Sequence, residues 1–270
     1  MKDPALITTY NNVDEIIGHH EILHEFYSIY LKNERDIIVW FPLSYIDSDK
    51  NYPVLYAHDG QNLFSPATAY IGKDWRVDET LTKLIHQKKI EEFIVVGIYN
   101  TKDRLEEYNL WTDKGKNYFQ FIRKELKPHI DEQYRTKADR NNTYVMGSSL
   151  GGLFSFQLIW YYSNVFSKAA CLSNSFWVDD KKIFKEVKND KAPLKDITLY
   201  IDCGDEEKKL IDDTKKMIKL LQDTGYVKNQ NLFTHIEKGG KHSEEDWANR
   251  LHLPFTKLFP RKNDSSIYIG

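Results

Sequence analysis

The sequence predicts an α/β fold: a mostly parallel sheet flanked by helices and opened by antiparallel strands. Two observations lead there. Short apolar runs bounded by turn residues alternate with longer stretches whose apolar residues recur at helical spacing, the pattern of repeated strand–helix–strand units. In addition, Gly147-Ser148-Ser149-Leu150-Gly151-Gly152 separates the apolar run 143–146 from the apolar run 153–160, which reads as strand, sharp turn and helix.

The elements follow in order. Residues 22–31 and 37–41, rich in aromatic and β-branched side chains, form the expected opening pair of strands, and 53–57 a buried third. Val77, Leu81, Leu84 and Ile85 share one face of a helix over 74–88. A strand over 93–98 comes next, then a helix over 118–133 with Pro128 inside it, then the strand over 143–146. Strands are expected over 167–173, 197–203 and 231–237. A helix over 206–221 carries Leu210, Thr214, Met217 and Leu221 on one face, and a last helix spans 244–258. The longest irregular stretch, 101–117, contains Arg104, Glu106, Glu107, Tyr108 and Trp111 and is expected to close over a site, since long loops in compact folds are often functional.

Composition narrows the class. The 270 residues are 41% hydrophobic and 29% charged, as in a globular protein, and no apolar stretch is long enough to span a bilayer. Formal net charge is -2 with both signs interspersed, which leaves no electrostatic footprint for nucleic acid. Cys171 and Cys203 lie in expected strands and read as buried packing residues rather than a disulfide framework. The first ten residues lack a secretory signal, so a cytoplasmic location is expected. With no internal repeat and no Pro/Gly/Ser-rich linker, residues 1–270 are expected to form a single domain, loosely held after about residue 260.

Chemistry enters at the turn. In a G-x-S-x-G nucleophile elbow, glycines let strand and helix approach closely while the central serine, here Ser149, stands exposed on a strained turn. Such a serine needs a histidine and an acid further along the chain. The strand over 197–203 runs into Gly204 followed by Asp205, Glu206 and Glu207, and the strand over 231–237 runs into the loop that carries His242. Catalytic groups of open parallel sheets gather at this edge, beyond the carboxyl ends of the strands. Each residue alone has an ordinary explanation: Ser149 as a helix cap, the acids as helix-dipole compensation, His242 as a surface residue. Their joint occurrence after three strands, in the order serine, acid, histidine, favours a triad. Asp202 is less suited as the acid because it lies within its strand. The oxyanion of an acyl-transfer intermediate needs two backbone N–H donors. The loop after strand 53–57, His58-Asp59-Gly60-Gln61-Asn62, offers Gln61, and the residue after the nucleophile offers Leu150. His58 and Asp59 are expected to brace that loop.

With these pieces in place the chain resembles the esterase branch of the α/β-hydrolase superfamily that includes feruloyl and acetylxylan esterases, enterobactin-type siderophore esterases and mycolyltransferases. The matching segments are 55–64, 104–108, 147–152, 173–177, 200–207 and 240–244 with Trp247. The resemblance implies an α/β-hydrolase fold, Ser149 as nucleophile, His242 as general base and Glu207, three residues after Gly204, as the acid. Asp205 stands where many relatives have threonine, and this second carboxylate is the alternative acid.

The expected function is that of a serine carboxylesterase acting through an acyl-enzyme on an acyl or feruloyl sugar ester or a siderophore-type lactone. Its partner is then a small-molecule or oligosaccharide ester, with no metal or organic cofactor, no nucleic acid and no membrane. Asn62, Trp111, Phe176 and Trp177 are the expected substrate contacts, the aromatics suiting an aryl or sugar-linked ester. His19, His20 and His24 lack an evident acidic partner and read as solvent-facing rather than metal-binding. Two alternatives remain: acyl transfer to an alcohol acceptor, and a non-catalytic binding module on the same fold.

Overall fold

The structure is a computed structural model that describes residues 7–8, 16–192 and 194–261. Among the described residues nine strands form one sheet: β1 (Ile7–Thr8), β2 (His20–Ser28), β3 (Asn33–Trp40), β4 (Val54–His58), β5 (Ile94–Ile98), β6 (Thr143–Ser148), β7 (Lys168–Leu172), β8 (Thr198–Gly204) and β9 (Leu232–Glu237). Their order is β1-β2-β3-β5-β4-β6-β7-β8-β9. Pairing is antiparallel from β1 through β3 to β5 and parallel from β5 to β9. This is the α/β-hydrolase fold that the sequence leads one to expect, antiparallel opening included.

Strand chemistry explains the layering. Along β4, Val54 and Tyr56 belong to one apolar cluster and Leu55 and Ala57 to the other, because successive side chains point to opposite faces. A parallel sheet of this kind is covered on both faces. The helices that cover it and link its strands are α1 (Val77–His86), α2 (Arg104–Glu107), α3 (Asp113–Gln120), α4 (Lys127–Gln133), α5 (Leu150–Tyr161), α6 (Val178–Asn189), α7 (Ile211–Asp223), α8 (Glu244–Arg250) and α9 (His252–Leu258). In α5 every residue from Leu150 to Trp160 is buried, as an apolar helix must be, so the helix that follows Ser149 is fixed in the core.

Three elements differ from expectation for identifiable reasons. The helix around Pro128 runs from α3 through a wide π turn, Phe121–Leu126, into α4. Pro128 cannot donate to the carbonyl four residues back, and the wider turn just before it makes room for its ring. The last helix is two, α8 and α9, parted at Leu251. Pro254 lies four residues after Arg250 and would clash with its carbonyl in a continuous helix. Helix α7 begins only at Ile211, because residues 205–210 form the turn that carries the acids.

Cys171 and Cys203 are free and buried, and burial pushes the Cys171 thiol well above its ordinary pKa and that of Cys203 up to about 11. Among the described residues no helix is long and apolar enough to cross a membrane. Beyond residue 261, the segment expected to be loosely held lies outside the described residues.

Candidate active site

Ser149 joins β6 to α5 with φ 55° and ψ -118°, a strained conformation for a residue with a side chain. Its surroundings leave no other course. A Cβ on Gly147 would sit 2.5 Å from the carbonyl carbon of Gly151, and one on Gly152 would sit 2.7 Å from Asn174 Oδ1 and 2.8 Å from the Leu172 carbonyl oxygen. Strand and helix can meet this closely only with glycine at both positions. Ser149 N–H donates to the Leu172 carbonyl (2.9 Å), and the Ser149 carbonyl accepts from Leu153 N–H and Ser175 N–H (3.0 Å each), which holds the strained residue from three sides.

The loop after β9 brings His242 to this serine. His242 Nε2 lies 3.0 Å from Ser149 Oγ and Nδ1 lies 2.6 Å from Glu207 Oε2. The imidazole is backed edge-on by Trp247, with ring centroids 5.0 Å apart. Ser243, next in the chain, caps α8 by accepting from Asp246 N–H, which anchors the loop just past the histidine.

Glu207 sits behind the imidazole with its side chain only 1% exposed. Burial pushes its carboxyl pKa up, but hydrogen bonds from His242, Gly204 N–H and the Ser173 hydroxyl outweigh that and hold it below the ordinary carboxylate range. Asp205 is exposed and turned elsewhere, accepting from Gly239 N–H at 2.7 Å. Asp202 is fully buried and bonded to Arg250 Nε (3.0 Å) and Nη2 (3.2 Å), so it is spoken for inside the strand.

Gln61 and Leu150 each occupy a first helical turn, Gln61 in the single 3-10 turn Gly60–Asn62 and Leu150 at the start of α5. N–H groups there have no intrahelical acceptor and are available to an anion. The Gln61 turn is entered through Asp59 at φ 58°, and Asp59 is clamped: Arg104 Nε donates to its Oδ1 and Nη2 to its Oδ2, both at 2.7 Å, and Asn100 Nδ2 donates to Oδ1 at 2.6 Å. Burial opposes ionisation of Asp59, yet Arg104 and Asn100 keep its pKa below the usual value. The stretch 101–117 is therefore not a closing lid. It holds two short helices, α2 and the start of α3, and it is bolted down by Arg104 on Asp59 and by the buried pair of Arg35 with Glu107 (2.7 Å).

Two grooves meet at Ser149 and His242. One, of about 390 Å³, runs past Asn62, Tyr70, Ile71, Arg104 and Trp247. The other, of about 910 Å³, runs past Ser175, Trp177, Lys181 and Leu210. Of the expected substrate contacts, Trp177 lines the larger groove and is 54% exposed, and Asn62 lines the smaller with its Oδ1 engaged by Tyr70 N–H. Phe176 is 0% exposed, packed edge-on against Phe156 and Phe184, and offers no face to a ligand. Trp111 lines neither groove; its Nε1 donates to the Glu186 carboxylate and Lys182 covers its ring. Two of the three N-terminal histidines do have acidic partners: His24 Nδ1 lies 3.0 Å from Asp36 and His19 Nε2 3.6 Å from Glu21. Among the described residues they form no metal-binding group; the acids Asp74, Asp78 and Glu79 do converge, and none of them lines the grooves at Ser149.

Sequence reasoning missed the layer behind Glu207. Ser173 Oγ donates to Glu207 Oε1 (2.7 Å) and accepts from Trp247 Nε1 (2.9 Å) and Arg250 Nη2 (2.7 Å). An arginine among the polar residues of a terminal helix looks like surface; only its partners, distant in sequence, reveal a buried charge.

Known proteins resemble this chain in fold and in family. YbbA of Bacillus subtilis (strain 168), described as an uncharacterized protein, is 25% identical over 228 residues, 77% of this chain and 86% of YbbA. A solved ferulic acid esterase has a TM-score of 0.70 at 22% identity, covering 89% of this chain and 99% of that one. The ferric enterobactin esterase of Salmonella typhimurium has a TM-score of 0.75 at 18% identity, covering 96% of this chain and 62% of that one. At these identities the two structures share the fold. The family model described as "Putative esterase" matches residues 28–256, from the end of β2 into α9, and the chain belongs to that family.

Proposed function

We propose that the protein is a serine carboxylesterase. The observation that carries this reading is the line Glu207–His242–Ser149, with contacts of 2.6 and 3.0 Å, ending on a strained serine between two grooves. His242 Nε2 takes the Ser149 hydroxyl proton as Oγ attacks the ester carbonyl carbon. The negative charge that forms on the carbonyl oxygen is met by the N–H groups of Gln61 and Leu150. Collapse breaks the bond to the alcohol oxygen, which leaves with the proton from His242, and the acyl group stays on Ser149. Water then gives a proton to His242 and attacks the acyl carbon; the acid departs, and the proton returns to Ser149. The net change is ester plus water to acid plus alcohol.

Two grooves on either side of the serine suit an ester with a substantial group on both sides of the scissile bond. Ferulic and enterobactin esters, named for the two fold relatives, have that form. The test is a panel of p-nitrophenyl acetate, methyl ferulate, acetylated xylo-oligosaccharide and a catecholate trilactone, with products separated after incubation in water alone and with an added alcohol. Free acid from at least one ester is expected. Products found only as new esters of the added alcohol would assign acyl transfer, and no turnover by a folded protein across the panel would defeat the proposal.

A further inference from the structure

Ser173 fixes more than a position. Its hydroxyl has one proton to donate and two lone pairs, and its two incoming partners, Trp247 Nε1 at 2.9 Å and Arg250 Nη2 at 2.7 Å, can only donate. With both lone pairs taken, the hydroxyl proton goes to the remaining partner, Glu207 Oε1 at 2.7 Å. Gly204 N–H donates to the same oxygen, also at 2.7 Å, so Oε1 is held as an acceptor by two donors. Glu207 Oε2 then faces His242 Nδ1 at 2.6 Å. An ionised carboxylate there requires the proton on Nδ1, and the lone pair of Nε2 is left for the Ser149 hydroxyl at 3.0 Å.

We infer that Arg250 and Trp247, acting through Ser173, set the direction of every hydrogen bond from Glu207 to Ser149, and so select the imidazole tautomer able to act as base. All three are positioning residues, and the inference rests on the reading of Ser149 as nucleophile. Arg250 is itself aimed: Asp202 holds its Nε and Nη2, and both side chains are at most 1% exposed. The other ionisable groups around Glu207 fit this direction. His242 stands in front; behind are Arg250, whose Nη2 also lies 3.7 Å from Glu207 Oε1, Asp202, the Tyr200 hydroxyl that donates to Asp202 at 3.2 Å, and the Cys203 thiol, which burial keeps neutral.

The experiment compares wild type with Ser173→Ala and Arg250→Lys. The first removes the bridging hydroxyl; the second keeps a positive charge beside Asp202 but loses the forked reach to Ser173. The readouts are the rate of fluorophosphonate labelling at Ser149 as a function of pH, kcat and KM on a turned-over ester, thermal melting, and the far-downfield proton resonance of the Nδ1–H···Oε2 hydrogen bond. Both folded variants should label roughly ten- to a hundredfold more slowly, by analogy with the loss of the partner behind a metal-ligating histidine. KM should hold while kcat falls, and the downfield resonance should move. Glu207 stripped of a donor binds protons more tightly, so the acid limb of the profile should shift to higher pH in Ser173→Ala. A wild type that is folded yet unlabelled overturns the Ser149 reading and this inference with it. A labelled wild type with variants of equal rate, unchanged acid limb and unmoved resonance overturns the inference alone. If Ser173→Ala fails to fold, Arg250→Lys decides on the same readouts.

Discussion

Arg104 grips Asp59 through two parallel hydrogen bonds of 2.7 Å, and the turn that Asp59 opens is the one that carries Gln61. Planar bidentate pairs of this kind position as well as attract. The guanidinium also lies over the Tyr108 ring, whose hydroxyl accepts from Asp59 N–H at 3.0 Å. The loop backbone and the Asp59 carboxylate are thus held from the two ends of one short segment, Arg104 opening α2 and Tyr108 directly following it.

Arg104→Lys should therefore fold, lose about 1–3 kcal/mol of stability, and slow labelling of Ser149 roughly tenfold. Lysine still neutralises Asp59 but cannot fork. Urea unfolding and the labelling rate check the two halves separately; normal labelling in a destabilised variant would mean that the clamp serves folding and leaves the Gln61 N–H where it was.

Glu207→Gln and Asp205→Asn should part company. Loss of the equivalent acid in a serine protease costs about ten-thousandfold in turnover, and Glu207→Gln is expected to approach that. Asp205→Asn removes only the charge from an exposed oxygen that accepts from Gly239 N–H, a bond the amide oxygen can still take, so turnover should stay near wild type and stability fall by less than about 1 kcal/mol. Steady-state kinetics on one ester decides between them, and a crippled Asp205→Asn beside an active Glu207→Gln would move the acid to Asp205.

How much of this was legible beforehand depends on range. The elbow could be read because close approach of strand and helix leaves glycine as the only residue for Gly147 and Gly152, a local demand written in local sequence. The sheet could be read because its central strands, β4 to β7, are short and largely buried apolar runs. The candidate acid could not be read from residues alone: Asp205, Glu206 and Glu207 are adjacent and alike, and only the fold turns Glu207 inward to Ser173 and Gly204 while leaving Asp205 in solvent. Phe176 and Trp177 are neighbours with the same apparent suitability for a ligand, yet one packs into the core and the other lines a groove. Arg250 was invisible because its partners, Asp202 and Ser173, belong to other strand ends.

Gly147→Ala tests the elbow from the backbone side. The added methyl would stand 2.5 Å from the Gly151 carbonyl carbon, too close to be absorbed by a side-chain rotation, so β6 and α5 must move apart. Overpacking of this kind costs about 1–3 kcal/mol or more, and here the displaced residue is Ser149 itself. The variant should melt lower and lose labelling by at least tenfold even where it remains folded. A crystal structure or a labelling rate unchanged from wild type would mean that the elbow yields more readily than its contacts imply.

His58 ends β4 inside a nest of Tyr108, Tyr118 and Phe154, with Nδ1 3.1 Å from the Tyr118 hydroxyl and, among the described residues, no hydrogen-bond partner for Nε2. Burial disfavours its charged form and lowers its pKa to about 3, the nearby Asp59 opposing this only in part. Unfolded, the same residue titrates near 6.5, so between the two values the unfolded chain binds the proton and the folded chain does not. Stability from this residue is thus complete above about pH 6.5 and falls as the pH drops toward 3, by roughly 3 kcal/mol at about pH 4.5. His20 and His129, also lowered by burial, act in the same direction, and Asp59 and Glu207, held below their ordinary values, lose their contributions only at lower pH, whereas Asp78, pushed up to about 8, and Asp74, Asp202 and Glu186, also raised by burial, act in the opposite direction because the folded chain keeps a proton that the unfolded chain releases. Acidification from about pH 7.5 to 4.5 should therefore lower the urea midpoint of wild type relative to that of His58→Phe, which keeps an aromatic ring in the nest, removes the titrating group and shares every other titrating group with wild type. An equal drop in both proteins would place the acid sensitivity elsewhere and show that the folded state takes up the His58 proton as readily as the unfolded chain does.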